Sequence, residues 1–305
     1  MSLESISLSE ESLERIERLR KSIVDALPQI CSERARIYTE VYNENESIPS
    51  IIKRAKALSA TLEQMSIYIL DDELIVGNQA SSLRSAPVFP EYSWEWIYDE
   101  LDKFEKRTYD KFVISGNVKK ELKDILPQWR GKTLYERCIA TQPAEVLKAT
   151  EIGILNWKGN ATSGEGHIVP DFEMLLHKGI GGILEEARSK LSKLNLADPY
   201  DLKKHFFYQA VVIAYQSVSK FISRFADLSK KKAESESSFN RREELLTIGE
   251  TCRWISLNPP RNFREALQLV WFAHLIEQIE SNGHSVSLGR MDQYLYPYFQ
   301  NDLIS

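Results

Sequence analysis

Apolar residues recur at helical spacing along most of this chain. Leu13, Ile16, Leu19, Ile23 and Leu27 fall three or four positions apart behind the polar start Ser9-Glu10-Glu11-Ser12, which predicts a helix over residues 9–27. The same period marks residues 33–43, 50–64, 93–106, 117–126, 133–140, 172–177, 181–194, 198–228 and 241–255. Pro199 suits the first turn of the long helix over 198–228, where a missing N–H costs nothing. The period fails at Ile67-Tyr68-Ile69-Leu70 and Glu73-Leu74-Ile75-Val76-Gly77, which predict two short strands around the acidic turn Asp71-Asp72. Residues 78–93 carry Pro87, Pro90 and many small side chains, and residues 156–170 carry Gly159, Gly164 and Gly166; both predict loops. Residues 230–238, beginning Lys230-Lys231-Lys232, read as a charged, solvated break. The expected fold class is a mainly α-helical segment with a few short strands. Neither an internal repeat nor a domain boundary is visible.

One further helix stands apart. Asn262 caps it, with Glu265 placed as a capping-box partner. No charge then occurs between Glu265 and Glu277, which predicts burial. The helix delivers the polar stretch Ser281-Asn282-Gly283-His284-Ser285-Val286-Ser287. Two readings stay open there. Gly283 fits a left-handed helix cap, with His284 favourable at the negative end of the helix dipole. Alternatively, this is a polar loop that a rigid scaffold presents to a ligand. The loop Trp157-Lys158-Gly159-Asn160-Ala161-Thr162-Ser163-Gly164-Glu165-Gly166-His167 is equally two-sided. Its glycines allow close backbone approach to a ligand, and His167, with Glu165 to tune it, can move a proton; it also reads as a turn-rich connector. Its glycine spacing is neither a dinucleotide fingerprint nor a P-loop. Arg84 and Glu91 are expected to pair across their loop, and Arg290 with Asp292 on the surface. His177, His205 and His274 read as packing or surface residues.

Composition narrows the classes. With 305 residues, 43% of them hydrophobic and 27% charged, the chain has the make-up of a globular protein of one or two domains. A net charge of -5 without a basic face argues against nucleic acid and anionic membranes as partners. Cys31, Cys138 and Cys252 lie far apart, outside any metal-ligand spacing, and are expected as small buried side chains in a reducing cytoplasm. No basic and apolar leader opens the sequence, and no apolar run reaches the ~20 residues a bilayer requires. A soluble cytoplasmic protein is expected.

Three stretches together carry a resemblance. Asp72-Glu73-Leu74-Ile75-Val76-Gly77-Asn78-Gln79 with Arg84-Ser85-Ala86-Pro87-Val88-Phe89-Pro90-Glu91 is the first. Gly164-Glu165-Gly166-His167 is the second. The third is Ile279-Glu280-Ser281-Asn282-Gly283-His284-Ser285 with Arg290-Met291-Asp292-Gln293-Tyr294-Leu295-Tyr296-Pro297-Tyr298. In order and spacing they resemble the N-terminal region of glycyl radical enzymes of the pyruvate formate-lyase family, over almost the whole chain. The branch they resemble most holds glycerol dehydratase and the pyruvate formate-lyase 2 type.

The resemblance implies a ten-stranded β/α barrel in the full-length family. It implies a glycyl radical near the C-terminus, installed by an iron–sulfur activating enzyme that uses S-adenosylmethionine. The radical passes to a finger-loop cysteine, whose thiyl takes hydrogen from the substrate while a nearby glutamate serves as base. Within this sequence, His167 matches the histidine placed to protonate a departing hydroxyl. Asn160 and Ser285 match residues that bind substrate hydroxyls, with the loop around Asn160 one residue shorter. His284 and Asp292 lie in the matched strings as site support. A neutral pocket of Asn160, Ser285 and His167 suits a diol, whereas relatives that cleave choline carry a carboxylate where His167 stands. No Cys-x-Glu finger loop and no radical-bearing glycine loop are found. The expectation is therefore that residues 1–305 are the N-terminal part of such a domain, an incomplete barrel that lacks the glycyl radical domain, binds no cofactor or metal, and is inactive alone. The expected reaction is radical C–O elimination from a small hydroxylated substrate, in a protein that admits a homodimer. The alternatives are a formate C-acetyltransferase, whose paired cysteines would lie beyond residue 305, and a non-catalytic helical partner or scaffold.

Overall fold

The computed structural model describes residues 8–304 apart from Trp157 and Glu165; the side chains of Lys158 and Asn160 also lie outside the described part. The order of elements is α1 (Glu10–Asp25), β1 (Gln29–Cys31), α2 (Glu33–Glu44), α3 (Ser50–Gln64), β2 (Ser85–Pro87), α4 (Glu95–Glu100), α5 (Gly116–Ile125), α6 (Leu134–Ala140), α7 (Ala144–Glu151) and α8 (Lys158–Ser163). The second half holds α9 (Phe172–Ser192), α10 (Pro199–Ser235), α11 (Phe239–Ile255), α12 (Phe263–Ser281), α13 (Met291–Tyr294) and α14 (Tyr296–Ile304). The chain is mainly helical, as its periodicity predicts. Among the described residues none of the helices is long and apolar enough to cross a membrane.

Two apolar clusters organise the fold. In the larger one, α3, α9, α10, α11 and α12 converge on Phe221, Phe225 and Phe272. Their ring centroids lie 5.2, 5.3 and 6.1 Å apart, tilted or edge-on as ring quadrupoles prefer. In the smaller one, Tyr38 of α2 packs with Trp94, Leu101, Leu122 and Trp129. Trp129 can be fully buried because its ring N–H donates to Thr39 Oγ1 at 2.8 Å. Helices α2 and α3 pack on each other and so link the two clusters.

Four expectations are corrected. Residues 67–77 form no hairpin; the strands are β1 and β2, which pair in parallel with Gln29 opposite Ser85 and Cys31 opposite Pro87. The reason is competition for backbone groups. Gln268 of α12 both donates to Val76 O and accepts from Val76 N at 2.8 Å, as a neighbouring strand would. Asn78 accepts from Tyr68 N, Arg241 donates to the carbonyls of Leu70 and Glu73, and Lys232 donates to Ile69 O. The charged break expected over 230–238 is shortened to 236–238: α10 continues to Ser235, because Ala233 is buried and Ser229 Oγ donates to Leu245 O of α11. Within 156–170, residues 158–163 form the short helix α8. The cap of α12 falls on Asn282, left-handed at φ 62°, with Gly283 following at φ 71°.

The two helices expected over 172–177 and 181–194 are both present and meet at a kink at Gly179 (φ 63°, ψ 173°), so that α9 is two helical pieces in sequence. A Cβ there would come within 2.6 Å of the Asn258 carbonyl carbon and the Pro259 nitrogen. Backbone strain and backbone collision therefore act together. Gly179→Ala is expected to destabilise the chain by about 2 kcal/mol or more. Urea unfolding checks this, and an unchanged midpoint would mean that α9 straightens without penalty.

Candidate functional site

The end of α12 is held by a buried cation. Arg34 of α2 is 3% exposed, with its guanidinium 3.7 and 3.8 Å from the ring centres of Tyr38 and Phe89. It donates to the carbonyl oxygens of Ile279 (2.6 Å), Glu280 (3.2 Å) and Val88 (3.3 Å). It also forms a two-point pair with the Glu91 carboxylate at 2.5 and 3.1 Å. Burial alone would lower the pKa of the guanidinium, but the Glu91 charge overrides it and leaves the value raised. Beside it, Arg54 of α3 pairs with Glu280 and donates to Tyr92 Oη at 3.1 Å. Gly164 packs flat on Tyr92: a Cβ at that glycine would sit 2.4 Å from the ring.

Two loops meet on this base. His167 N donates to His284 O at 3.1 Å, and Ser287 N donates to Ile168 O at 2.9 Å. Ser163 Oγ at the end of α8 lies 3.0 Å from His284 Nδ1. The imidazole rings of His167 and His284 are 5.0 Å apart and edge-on at 65°. Gly166 makes the approach feasible, since a Cβ would come within 2.2 Å of His284 O. Both His167 (φ 56°) and Ser285 (φ 57°) hold left-handed backbone, uncommon for side-chain-bearing residues and a form of strain that gathers at functional loops. Both are exposed, whereas His284 is half-buried.

The structure therefore brings His167, His284 and Ser285 into one patch. Asn160 lies on α8, within the loop sequence that reaches this patch; its side chain, like Glu165, lies outside the described residues. Asp292 turns to Arg290 in an exposed pair at 3.0 Å, the surface arrangement expected of it. The Arg84–Glu91 pair does not form. Glu91 is taken by Arg34, while Arg84 donates to Ala26 O at 3.0 Å. Cys31 and Cys252 are buried, and burial pushes the Cys252 thiol up to about 12. Cys31-Ser32-Glu33 spells Cys-x-Glu, but Glu33 accepts from Ser66 N and Oγ at 3.0 and 2.5 Å at the end of α3.

Sequence reasoning missed the supporting residues Arg34, Arg54, Tyr92 and Glu280. Arg34 sits in Ser32-Glu33-Arg34-Ala35-Arg36, which reads as a solvated helix start. Its one signal is position: Ile37 and Tyr38 follow three and four residues later, so Arg34 falls on the apolar face.

The family described as pyruvate formate lyase-like matches residues 8–305. A protein of Escherichia coli (strain K12) described as "Probable dehydratase YbiW" is 43% identical over 95% of this chain and 36% of its own length. The (2S)-3-sulfopropanediol dehydratase of Klebsiella oxytoca is 36% identical, with the same shares covered. The glycerol-bound B12-independent glycerol dehydratase of Clostridium butyricum superposes with a TM-score of 0.93 at 39% identity, over 97% of this chain and 38% of that one. The chain thus spans little more than a third of the length of the relatives it matches.

The close approach at Gly166 and the clamp at Arg34 make separable predictions. Gly166→Ala is expected to speed amide exchange of His167 and Ser287 about tenfold or more while leaving global unfolding nearly unchanged. Arg34→Met, which strands the Glu91 carboxylate, is expected to cost about 3–5 kcal/mol of global stability as well. Undiminished protection of both amides in Gly166→Ala would show that this glycine does not join the loops.

Proposed function

The chain belongs to the pyruvate formate lyase-like family, and from that premise we propose that residues 1–305 form the N-terminal part of a glycyl radical dehydratase acting on a small hydroxylated substrate. The observation that carries this reading is the meeting of His167, His284 and Ser285 on the base made by Arg34 and Arg54. The dehydratase names of relatives that align over nearly all of this chain support it.

The radical chemistry, hydrogen abstraction from the substrate, would be supplied by the remainder of a full-length protein after action of an activating enzyme. This chain's own groups do the polar work. The substrate hydroxyls are bound by the Ser285 hydroxyl and the Asn160 amide. The His167 imidazolium gives its proton to the departing hydroxyl, which leaves as water; an imidazole is suited to that transfer near neutral pH. His284 keeps His167 in place through the backbone bond from His167 N, and Ser163 in turn orients the His284 ring. With neutral donors and acceptors at these positions, a diol is favoured over a cationic substrate. Asp292, committed to Arg290, is left out of the reaction. The exposure of His167 and Ser285 fits a site whose facing wall, with the radical chemistry, comes from the rest of a longer protein in a reducing cytoplasm. The three unpaired cysteines suit that compartment.

The test uses a protein of the relatives' full length that carries this chain, activated anaerobically. His167→Ala is expected to leave the radical signal intact in electron paramagnetic resonance and to lower turnover of glycerol or 1,2-propanediol by about 100-fold or more. Normal turnover would remove His167 from the mechanism. A finger loop with two adjacent cysteines would favour formate acetyl transfer over dehydration.

A further inference from the structure

Away from the loop patch, a cavity of about 240 Å³ lies between α9, α10 and α12, with Leu58 of α3 at one edge. Its walls are aliphatic and aromatic, including Phe172, Leu175, Ile183, Val218, Ile222 and Ile276. An apolar void of roughly 150 Å³ is enough to hold benzene, so this one has room for a six-membered ring with a short substituent.

The ionisable groups that line it are all acids: Asp171, Tyr215, Glu277 and Glu280. Two of the carboxylates are already committed. Asp171 caps the first turn of α9 through Met174 N, and Glu280 pairs with Arg54. Glu277 differs: its Oε2 is buried and meets no hydrogen-bond partner among the described residues. A buried carboxylate oxygen without a partner is costly unless it is protonated or meets a cation. Around Glu277, α12 contributes Glu280 and His274, α10 contributes Tyr215, and the start of α9 contributes Asp171. The nearby cation of α3, Arg54, is spent on Glu280 and Tyr92.

We propose that this cavity binds a small organic ammonium ion, its hydrocarbon body among the apolar side chains and its ammonium against the Glu277 carboxylate. An ammonium brings three donors and a full positive charge to a carboxyl group that the protein leaves unpartnered. A neutral apolar ligand of the same shape would fill the space but leave Oε2 unpaired. The site is separate from the His167 patch, whose neutral groups favour a diol, so the two select for opposite ligand character.

Burial, reinforced by Glu280, pushes the Glu277 carboxyl up to about 7. Below that pH the empty site holds a proton, which a bound ammonium must displace. Binding should therefore strengthen as pH rises through about 7 and release a proton at lower pH. The same shift makes the empty carboxyl destabilising: between its ordinary value and about 7 the unfolded chain loses a proton that the folded chain keeps.

Isothermal titration of the 305-residue chain with benzylammonium chloride tests this, with benzyl alcohol as the neutral counterpart. Near pH 8 we expect one saturable benzylammonium site, and alcohol binding weaker by about tenfold or more. Glu277→Gln should weaken benzylammonium by about tenfold or more and leave the alcohol unchanged. In wild type, benzylammonium affinity should rise about tenfold between about pH 6 and pH 8, and Glu277→Gln should abolish that slope. Ala273→Leu, which fills the cavity, should remove both ligands. Equal binding of alcohol and ammonium by wild type overturns the proposal. So does undiminished ammonium binding by Glu277→Gln, or the absence of saturable binding up to on the order of 10 mM.

Discussion

The arrangement around Arg34 is the constraint on which the site depends. Taking a guanidinium out of water costs several kcal/mol after relaxation. That cost is offset only if nearly every donor is satisfied and the opposing charge is close. Here Nε, Nη1 and Nη2 reach three carbonyl oxygens and one carboxylate, while two aromatic rings lie against the planar group. Three pieces of chain far apart in sequence can meet these demands only in one relative placement. They are α2, the segment Val88–Glu91, and the last turn of α12. A lysine could not substitute, because a single ammonium cannot make that fork of parallel bonds.

From that anchor the order passes outward by short steps. Glu280 follows Ile279 and turns its carboxylate to Arg54; Arg54 holds the Tyr92 hydroxyl; the Tyr92 ring lies against Gly164. Two residues later Gly166 lets the backbone of the His167 loop touch that of His284. Glycine is required at both points because a neighbour already occupies the space of a Cβ. The patch is thus set by backbone contact above a charged base, which explains how exposed side chains such as His167 and Ser285 can have defined positions.

Much of the helical architecture was legible in the sequence. The bounds expected for the helix at 50–64 coincide with α3, the polar start at Ser9 does open α1, and the cap expected at Asn262 accepts from Glu265 N. What could not be read was competition from remote side chains. Ile67–Val76 has the composition of a hairpin, yet its backbone groups are claimed by Gln268, Arg241 and Lys232, more than 150 residues away. Lys230–Ser235 looks solvated because the pattern of charge hides that Ala233 alone turns inward. At the patch, the strings holding His167, His284 and Ser285 were identifiable, but their meeting was not, because glycine spacing does not name the backbone that Gly166 approaches. Arg34 and Arg54 were not, because a charged residue early in an amphipathic helix is ordinarily solvated.

Helix α12 joins these features, since its sides serve different tasks. Gln268 stands in for a strand partner, Phe272 fills the main core, Glu277 faces the cavity, and the terminal carbonyls of Ile279 and Glu280 meet Arg34. Each successive residue turns the helix by about 100°. A register slip of one position would therefore withdraw the amide from Val76, push a different residue into the aromatic cluster and misplace both carbonyls at once. That shared dependence fixes the rotation of α12 far more tightly than its apolar surface could, because an almost uniformly apolar helix packs acceptably at many angles. The polar residues on an otherwise apolar helix thus specify its orientation, and through it the positions of His284 and Ser285 at its end.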